Sequence, residues 1–326
     1  MTTYKSIVGQ KIQKVSSDPT NPLVGQIWYN TTTGSLKGFQ TISAAWASGG
    51  NLGAARDGLA AGGASTQTAG LTFGGDDGAP ALSAKTEEYN GSSWSEQNDL
   101  STARNILGGA GTQTAGLAFG GNDPTENKTE EYGGTSWTSG GNLGTGRYFL
   151  TGAGTQTAGL AIGGSPPAPA GLTSVEHYNG SAWTAGGALP ASRRSSAACG
   201  TQTAALNFGG KGSGAPSAAD TTEEYNGSSW TSGGTLNTGR RTLAGAGSQT
   251  AALGMAGYPP NRTDCEKYDG TSWSITASMS TARRYTAGCG TQAAGLGFGG
   301  YAPGGKTNAT EEFTDTFNST RTVTTS

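Results

Sequence analysis

The residues able to do acid–base, nucleophilic or metal chemistry are few, and most recur at one position per repeat. The chain holds one histidine, His177, and three cysteines, Cys199, Cys265 and Cys289. Three scattered cysteines offer neither a disulfide framework nor the spacing of a zinc site. Cys199 and Cys289 occupy a slot filled elsewhere by Ala64, Ala110, Ala153 and Ala246, so they read as small core fillers. His177 stands where other repeats carry Glu88, Glu131 or Glu224, and is expected to be an exposed strand residue. The carboxylates recur as Glu87, Glu130, Glu176, Glu223, Glu266 and Glu311, and the arginines as Arg56, Arg104, Arg147, Arg193, Arg240 and Arg283. An active site normally breaks the symmetry of a repeat. A group present in every copy is therefore expected to be structural, an Arg–Glu pair or a hydrogen-bonded brace between strands. No residue is assigned a catalytic, cofactor-binding or metal-binding role, and the chain is not expected to be an enzyme.

The elements that position these residues follow from a repeat. The segment Gly-Thr-Gln-Thr-Ala-Gly-Leu-x-Phe-Gly-Gly returns with its last glycine at Gly75, Gly121, Gly164, Gly210, Gly257 and Gly300, in steps of 46, 43, 46, 47 and 43 residues. A period of this size marks stacked supersecondary units, because one unit alone cannot bury its apolar face. Each copy reads as four short strands. In one of them, Leu107 to Gly111 and Thr114 to Phe119 flank a Thr-Gln turn, and Glu130 to Tyr132 and Ser136 to Trp137 flank Gly133-Gly134. Elsewhere that second turn is Asn90-Gly91, Asn179-Gly180, Asn226-Gly227 or Asp269-Gly270, the pairs that tight hairpins favour. With 58 glycines in 326 residues and no helical periodicity, the fold class is all-β.

The double glycine, then Glu-x-Tyr, then Trp, with an Arg leading into the next unit, resembles the kelch family of β-propellers. Gly120-Gly121, Glu130, Tyr132, Trp137 and Arg147 make one such set. The resemblance covers residues 46 to 313 and implies a six-bladed propeller. It departs from the family in the short Tyr132-to-Trp137 spacing, in Ala256 for a first glycine, and in Ile162 for the usual Phe. Copper oxidases built on kelch propellers use a Tyr–Cys pair and two His ligands, which a single His cannot supply. Sialidases need an arginine cluster and Asp boxes, and Asp269-Gly270-Thr271-Ser272-Trp273 has the wrong spacing for one.

Closure follows from unmatched pieces. The sixth copy ends at Glu311-Glu312-Phe313 without its Trp, while Trp46 stands ahead of the first copy. Pairing the two leaves no open edge. The rival fourth strand is Thr314 to Thr324 with Phe317. The Trp46 pairing divides the chain into an N-terminal extended arm and hairpin, residues 1–45, and a propeller, residues 46–326. Alanine and glycine are expected on the crowded axis. Phe73, Phe119, Phe208, Phe298 and the Trp and Tyr series are expected between blades, where rings bury most area.

The arm carries Asp18-Pro19-Thr20-Asn21-Pro22, then Gly25 to Asn30 and Ser35 to Phe39 around Thr31 to Gly34, a β-hairpin pattern. This stretch resembles segments of structural proteins of tailed bacteriophages, especially marine ones. The resemblance implies a virion location, in a tail fibre, a tail-associated part or a capsid decoration. It also implies attachment to other virion proteins through residues 1–45, with Trp28 and Tyr29 supplying apolar interface area, and display of the propeller for host adhesion. A host-surface glycan or protein is the second expected partner, and a sugar-binding or carbohydrate-active propeller is the alternative. A net charge of −2 gives no basic surface for nucleic acid, and no apolar run is long enough to insert in a membrane. Sequence variation concentrates in the connections Asp76–Ala84, Asn122–Lys128, Ser165–Leu172, Lys211–Asp220, Tyr258–Asp264 and Tyr301–Asn308, which share one face. Of their side chains, Tyr258, Arg262, Tyr301 and Lys306 are best equipped for a ligand.

Overall fold

The computed structural model describes residues 12–78, 82–122, 127–166, 171–212 and 218–323. Parts of four variable connections therefore lie outside the described residues. Among the described residues there are strands and turns but no helix. The chain forms two compact units, Ala45–Thr314 and a second made of Met1–Ala44 with Asp315–Ser326. This differs from the expected boundary, because the C-terminal twelve residues group with the N-terminal arm.

The larger unit contains six four-stranded antiparallel sheets. The second is typical: Gly108–Thr112, Ala115–Phe119, Thr129–Tyr132 and Trp137–Ser139 pair in sequence order. The sixth is assembled from both ends of the unit. Its first three strands are Ala287–Gly290, Ala294–Phe298 and Thr310–Thr314, and its fourth is Ala45–Ser48, with Trp46 opposite Phe313. The first strand of each sheet lies beside the first strand of the next, and that of the sixth returns beside that of the first, Ala60–Ala61.

Aromatic rings pack between sheets. Phe73 meets Trp137 with centroids 4.9 Å apart, Phe119 meets Trp183 at 5.0 Å, Phe208 meets Trp273 at 4.8 Å and Phe298 meets Trp94 at 4.8 Å. Each indole also donates a hydrogen bond. Trp94, Trp137, Trp183 and Trp273 use the first threonine of the preceding sheet's third strand: Thr310, Thr86, Thr129 and Thr222. Where that threonine is Val175 or Cys265, Trp230 and Trp46 turn to the backbone carbonyls of Gly187 and Ala277. A buried indole N–H is costly to leave unpaired, and the sheets supply a substitute acceptor.

In the smaller unit Ile27–Asn30 and Ser35–Ile42 form the hairpin, with Gln13–Val15 added parallel on one side and Phe317–Thr322 antiparallel on the other. Phe317 thus belongs to this sheet and not to the sixth sheet of the larger unit. Trp28 is fully buried and donates to the Asp18 carboxylate at 2.9 Å, which also accepts from Asn30 at 2.7 Å. These two bonds hold the Asp18 carboxyl below the usual carboxylate range. Trp28 therefore offers no surface for an interface, contrary to expectation, and Tyr29 is half-buried. Among the described residues, the exposed large apolar side chains here are Leu23, Val24 and Phe317.

Candidate functional site

All six recurrent arginines are buried and each meets the recurrent glutamate of the same repeat. Arg56 bonds Glu87 at 2.6 Å, Arg104 bonds Glu130 at 3.0 Å, Arg147 bonds Glu176 at 2.9 Å and Arg240 bonds Glu266 at 3.0 Å; Arg193–Glu223 and Arg283–Glu311 pair likewise. The second guanidinium nitrogen caps backbone carbonyls. For Arg104 these are Gly120 O at 3.0 Å and Lys128 O at 2.8 Å, on either side of the connection between second and third strands. The other glutamate oxygen accepts from a backbone N–H, as Glu130 does from Ser101 at 2.7 Å. Burial pushes the Arg104 guanidinium down to about 10, and Glu130 opposes that shift. Groups spent on each other and on the backbone in this way have no face left for a substrate.

Two further cyclic contacts tie one sheet to the next, and a third joins all but one pair, since Phe313 lacks the hydroxyl. The glutamine of each Thr-Gln turn, or of its Ser-Gln counterpart, donates to two carbonyls of the preceding sheet: Gln113 reaches Gly70 and Tyr89, and Gln67 closes the circle onto Gly295 and Phe313. The last glycine of each double-glycine position donates to the carbonyl of the next buried arginine, from Gly75 to Arg104 around to Gly300 and Arg56. Tyrosine hydroxyls then bond the second glutamate of the preceding sheet, as Tyr132 does to Glu88 at 2.9 Å. His177 takes that glutamate's place: it is half-buried, not exposed, and its Nε2 lies 2.8 Å from the Tyr225 hydroxyl. Burial pulls its pKa below the usual 6.5.

The variable connections border one end of the axis. There Gly58, Ile106, Phe149, Ser195, Thr242 and Tyr285 form a continuous hydrogen-bonded circle. Each N–H donates to the carbonyl of the previous member, at 2.7 to 3.1 Å, and Gly58 N–H donates to Tyr285 O. All six adopt left-handed φ between 47° and 62°, although only one is glycine. That geometry costs roughly 1–2 kcal/mol at each non-glycine member, which six mutual hydrogen bonds offset. Phe149 and Tyr285, from opposite sheets, stack across the opening with centroids 6.3 Å apart. Behind them lies a cavity of about 130 Å³ walled by the alanine- and glycine-rich first strands.

Immediately outside this circle, the residue after each buried arginine bridges the residue after each double-glycine position. The pairs are Asp57 with Asp76, Asn105 with Asn122, Tyr148 with Ser165, Arg194 with Lys211, Arg241 with Tyr258 and Arg284 with Tyr301. Of the four ligand-face residues expected from sequence, Tyr258 and Tyr301 join this rim. Arg284 lies over Tyr258 at 5.0 Å and over Tyr301 at 4.7 Å, and Arg241 lies over Tyr258 at 5.2 Å. The two expected cations are neutralised instead. Arg262 pairs with Asp264, its Nε donating at 2.7 Å, and Lys306 pairs with Asp76 and Asp57. The rim cations that form no ion pair with a described carboxylate are Arg194, Lys211, Arg241 and Arg284. Three of them were legible as the second members of the doubled arginines Arg193-Arg194, Arg240-Arg241 and Arg283-Arg284, whose first member is the brace.

Among the described residues no group of three or more His, Cys, Asp or Glu is placed to hold a metal ion. The three thiols are buried; burial pushes Cys199 and Cys289 up to about 12 and Cys265 up to about 11. No protein-family model matches the chain, and no curated protein matches it in sequence.

Proposed function

We propose that the chain is a structural protein of a bacteriophage virion. In this reading Ala45–Thr314 is a kelch-like six-bladed β-propeller displayed for adhesion to the host surface, on the tail or on the capsid. The smaller unit attaches it to other virion proteins. The observation that carries the adhesin reading is the division of labour among charged residues. The recurrent Arg–Glu groups are consumed in braces, while the varied rim around the axis keeps cations that pair with no described carboxylate, and aromatic rings. A rigid frame with a variable rim suits binding better than catalysis. The phage assignment rests on the resemblance of residues 18–37 to virion proteins.

Attachment through the smaller unit falls to exposed Leu23, Val24 and Phe317, since Trp28 is internal. Mass spectrometry of purified particles, followed by imaging with an antibody against this chain, tests the proposal. The chain should be found in particles at a fixed copy number, on their outside. Particles from which it is absent would refute the virion reading. The second reading is a free sugar-binding propeller, favoured by the same rim; it requires glycan binding by the purified chain without any particle.

A further inference from the structure

We infer that the rim sector of the fourth to sixth sheets is a binding site for an anionic glycan, a polysaccharide bearing carboxylates or sulfates. The inference deepens the adhesin reading and rests on it for its biological meaning, not for its chemistry.

The rim is chemically divided. On the first sheet it carries Asp57 and Asp76, and on the second and third Asn105, Asn122, Tyr148 and Ser165. On the fourth to sixth it carries Arg194, Lys211, Arg241 and Arg284 with Tyr258 and Tyr301. The inner circle divides at the same place. Gly58, Ile106 and Phe149 face the axis from the first three sheets, and the hydroxyl residues Ser195, Thr242 and Tyr285 from the last three. Because Ser195, Thr242 and Tyr285 are hydrogen-bonded neighbours, the arginines just before them flank one continuous arc.

None of the four cations makes an ion pair with a described carboxylate, and all four are half-buried. Two are stacked on rings, and Arg284 is also drawn by the more distant Asp57 carboxylate without pairing with it. Arg241, Tyr258, Arg284 and Tyr301 alternate, with guanidinium carbons 4.7 to 5.2 Å from ring centroids. Arg284 Nη1 also donates to Asn261 Oδ1 at 3.3 Å, and Asn261 Nδ2 to Tyr301 O at 3.0 Å. Stacking uses the face of a guanidinium and leaves most of its in-plane N–H donors unpaired. Those donors match the two oxygens of a carboxylate or sulfate, and a pre-ordered side chain loses less freedom on binding.

The site takes a short anionic stretch of such a polysaccharide, not a polyanion laid across the whole face. The chain's net charge is −2, and Asp57 and Asp76 on the adjoining rim would repel a nucleic acid laid across the whole face. Sugar rings between the charges are accommodated by the Ser195 and Tyr285 hydroxyls. The tyrosines themselves are not free stacking platforms, since guanidiniums already lie over them.

The test uses the full chain with four probes: alginate for carboxylate, heparin for sulfate, dextran as the neutral polysaccharide, and a short DNA duplex. Calorimetric titration should show binding of alginate, heparin or both, weakened by added salt, with none of dextran. The double variant Arg241→Gln/Arg284→Gln should lose roughly tenfold or more in affinity, as expected for charged hydrogen bonds removed. The separate variant Arg194→Gln/Lys211→Gln should also weaken binding, and Lys14→Gln should not. Melting temperatures of all variants check folding. Equal binding of dextran, no loss in either double variant, or DNA binding as tight as alginate and lost in the same variants would each overturn the inference. Particles lacking the chain would refute the virion reading and leave polyanion binding standing; particles containing a chain that binds neither polyanion would do the reverse.

Discussion

Replacing Arg104 by Met removes one brace while keeping much of its packing volume. Arg104 and Glu130 are each 1% exposed, so neither is rescued by water when its partner is lost. Three bonds vanish: Nη2 to Glu130 at 3.0 Å, and Nη1 to the carbonyls of Gly120 and Lys128 at 3.0 and 2.8 Å. Glu130 keeps only the Ser101 N–H at 2.7 Å, which leaves a buried carboxylate without its counter-charge. Breaking a buried pair from one side costs about 3–5 kcal/mol. For a unit of this size, that is a fall in Tm of roughly 6 to 20 °C. The double variant Arg104→Met/Glu130→Leu also removes the stranded charge, so it should recover part of the loss. It should not recover all of it, because the Gly120 carbonyl and the Ser101 N–H stay unpaired, at about 1–3 kcal/mol for each group that water cannot reach, while Lys128 O keeps the Gly120 N–H. Scanning calorimetry of the parent, both single variants and the double variant measures the coupling. A shift below about 2 °C for Arg104→Met, or strictly additive effects in the double, would refute the brace.

Three further outcomes follow from the same contacts. Ala256 holds φ 59° where five repeats have glycine, so Ala256→Gly should stabilise the chain by about 1 kcal/mol, read from urea melts; destabilisation would count against strain at that position. His177→Glu should be tolerated, restoring the Tyr–Glu bond made between other sheets. Because burial lowers the folded pKa of His177 below 6.5, the parent should lose stability as pH falls through that value while the variant should not; parallel pH profiles would refute this. Asp269 is held at about 2 by the hydroxyl and amide of Thr271 and the amide of Ser272, below its ordinary 3.8. Its contribution is therefore complete above that ordinary value and lost as pH falls through the folded one. Asp269→Asn, the residue at three equivalent turns, should melt like the parent at pH 7 and lack that acid-dependent fall.

Period, turn chemistry and residue class were enough to read four strands per repeat, the hairpin at Thr31–Gly34 and the Arg–Glu partnership. Each depends on residues near in sequence or on a pattern copied in every repeat. The pairing of Trp46 with Phe313 was legible for the same reason, as the one way to use two incomplete repeats. Position in three dimensions decided the rest. Gln67 looked like a turn residue until its two acceptors proved to lie on another sheet, more than two hundred positions away. Trp28 looked like an anchor until Asp18 and the added strands enclosed it. Arg262 and Lys306 looked like free cations until Asp264, Asp57 and Asp76 neutralised them, leaving Arg194, Lys211, Arg241 and Arg284. Whether a charge is spent or available depends on its nearest counter-charge, and only the packed chain brings that neighbour within reach.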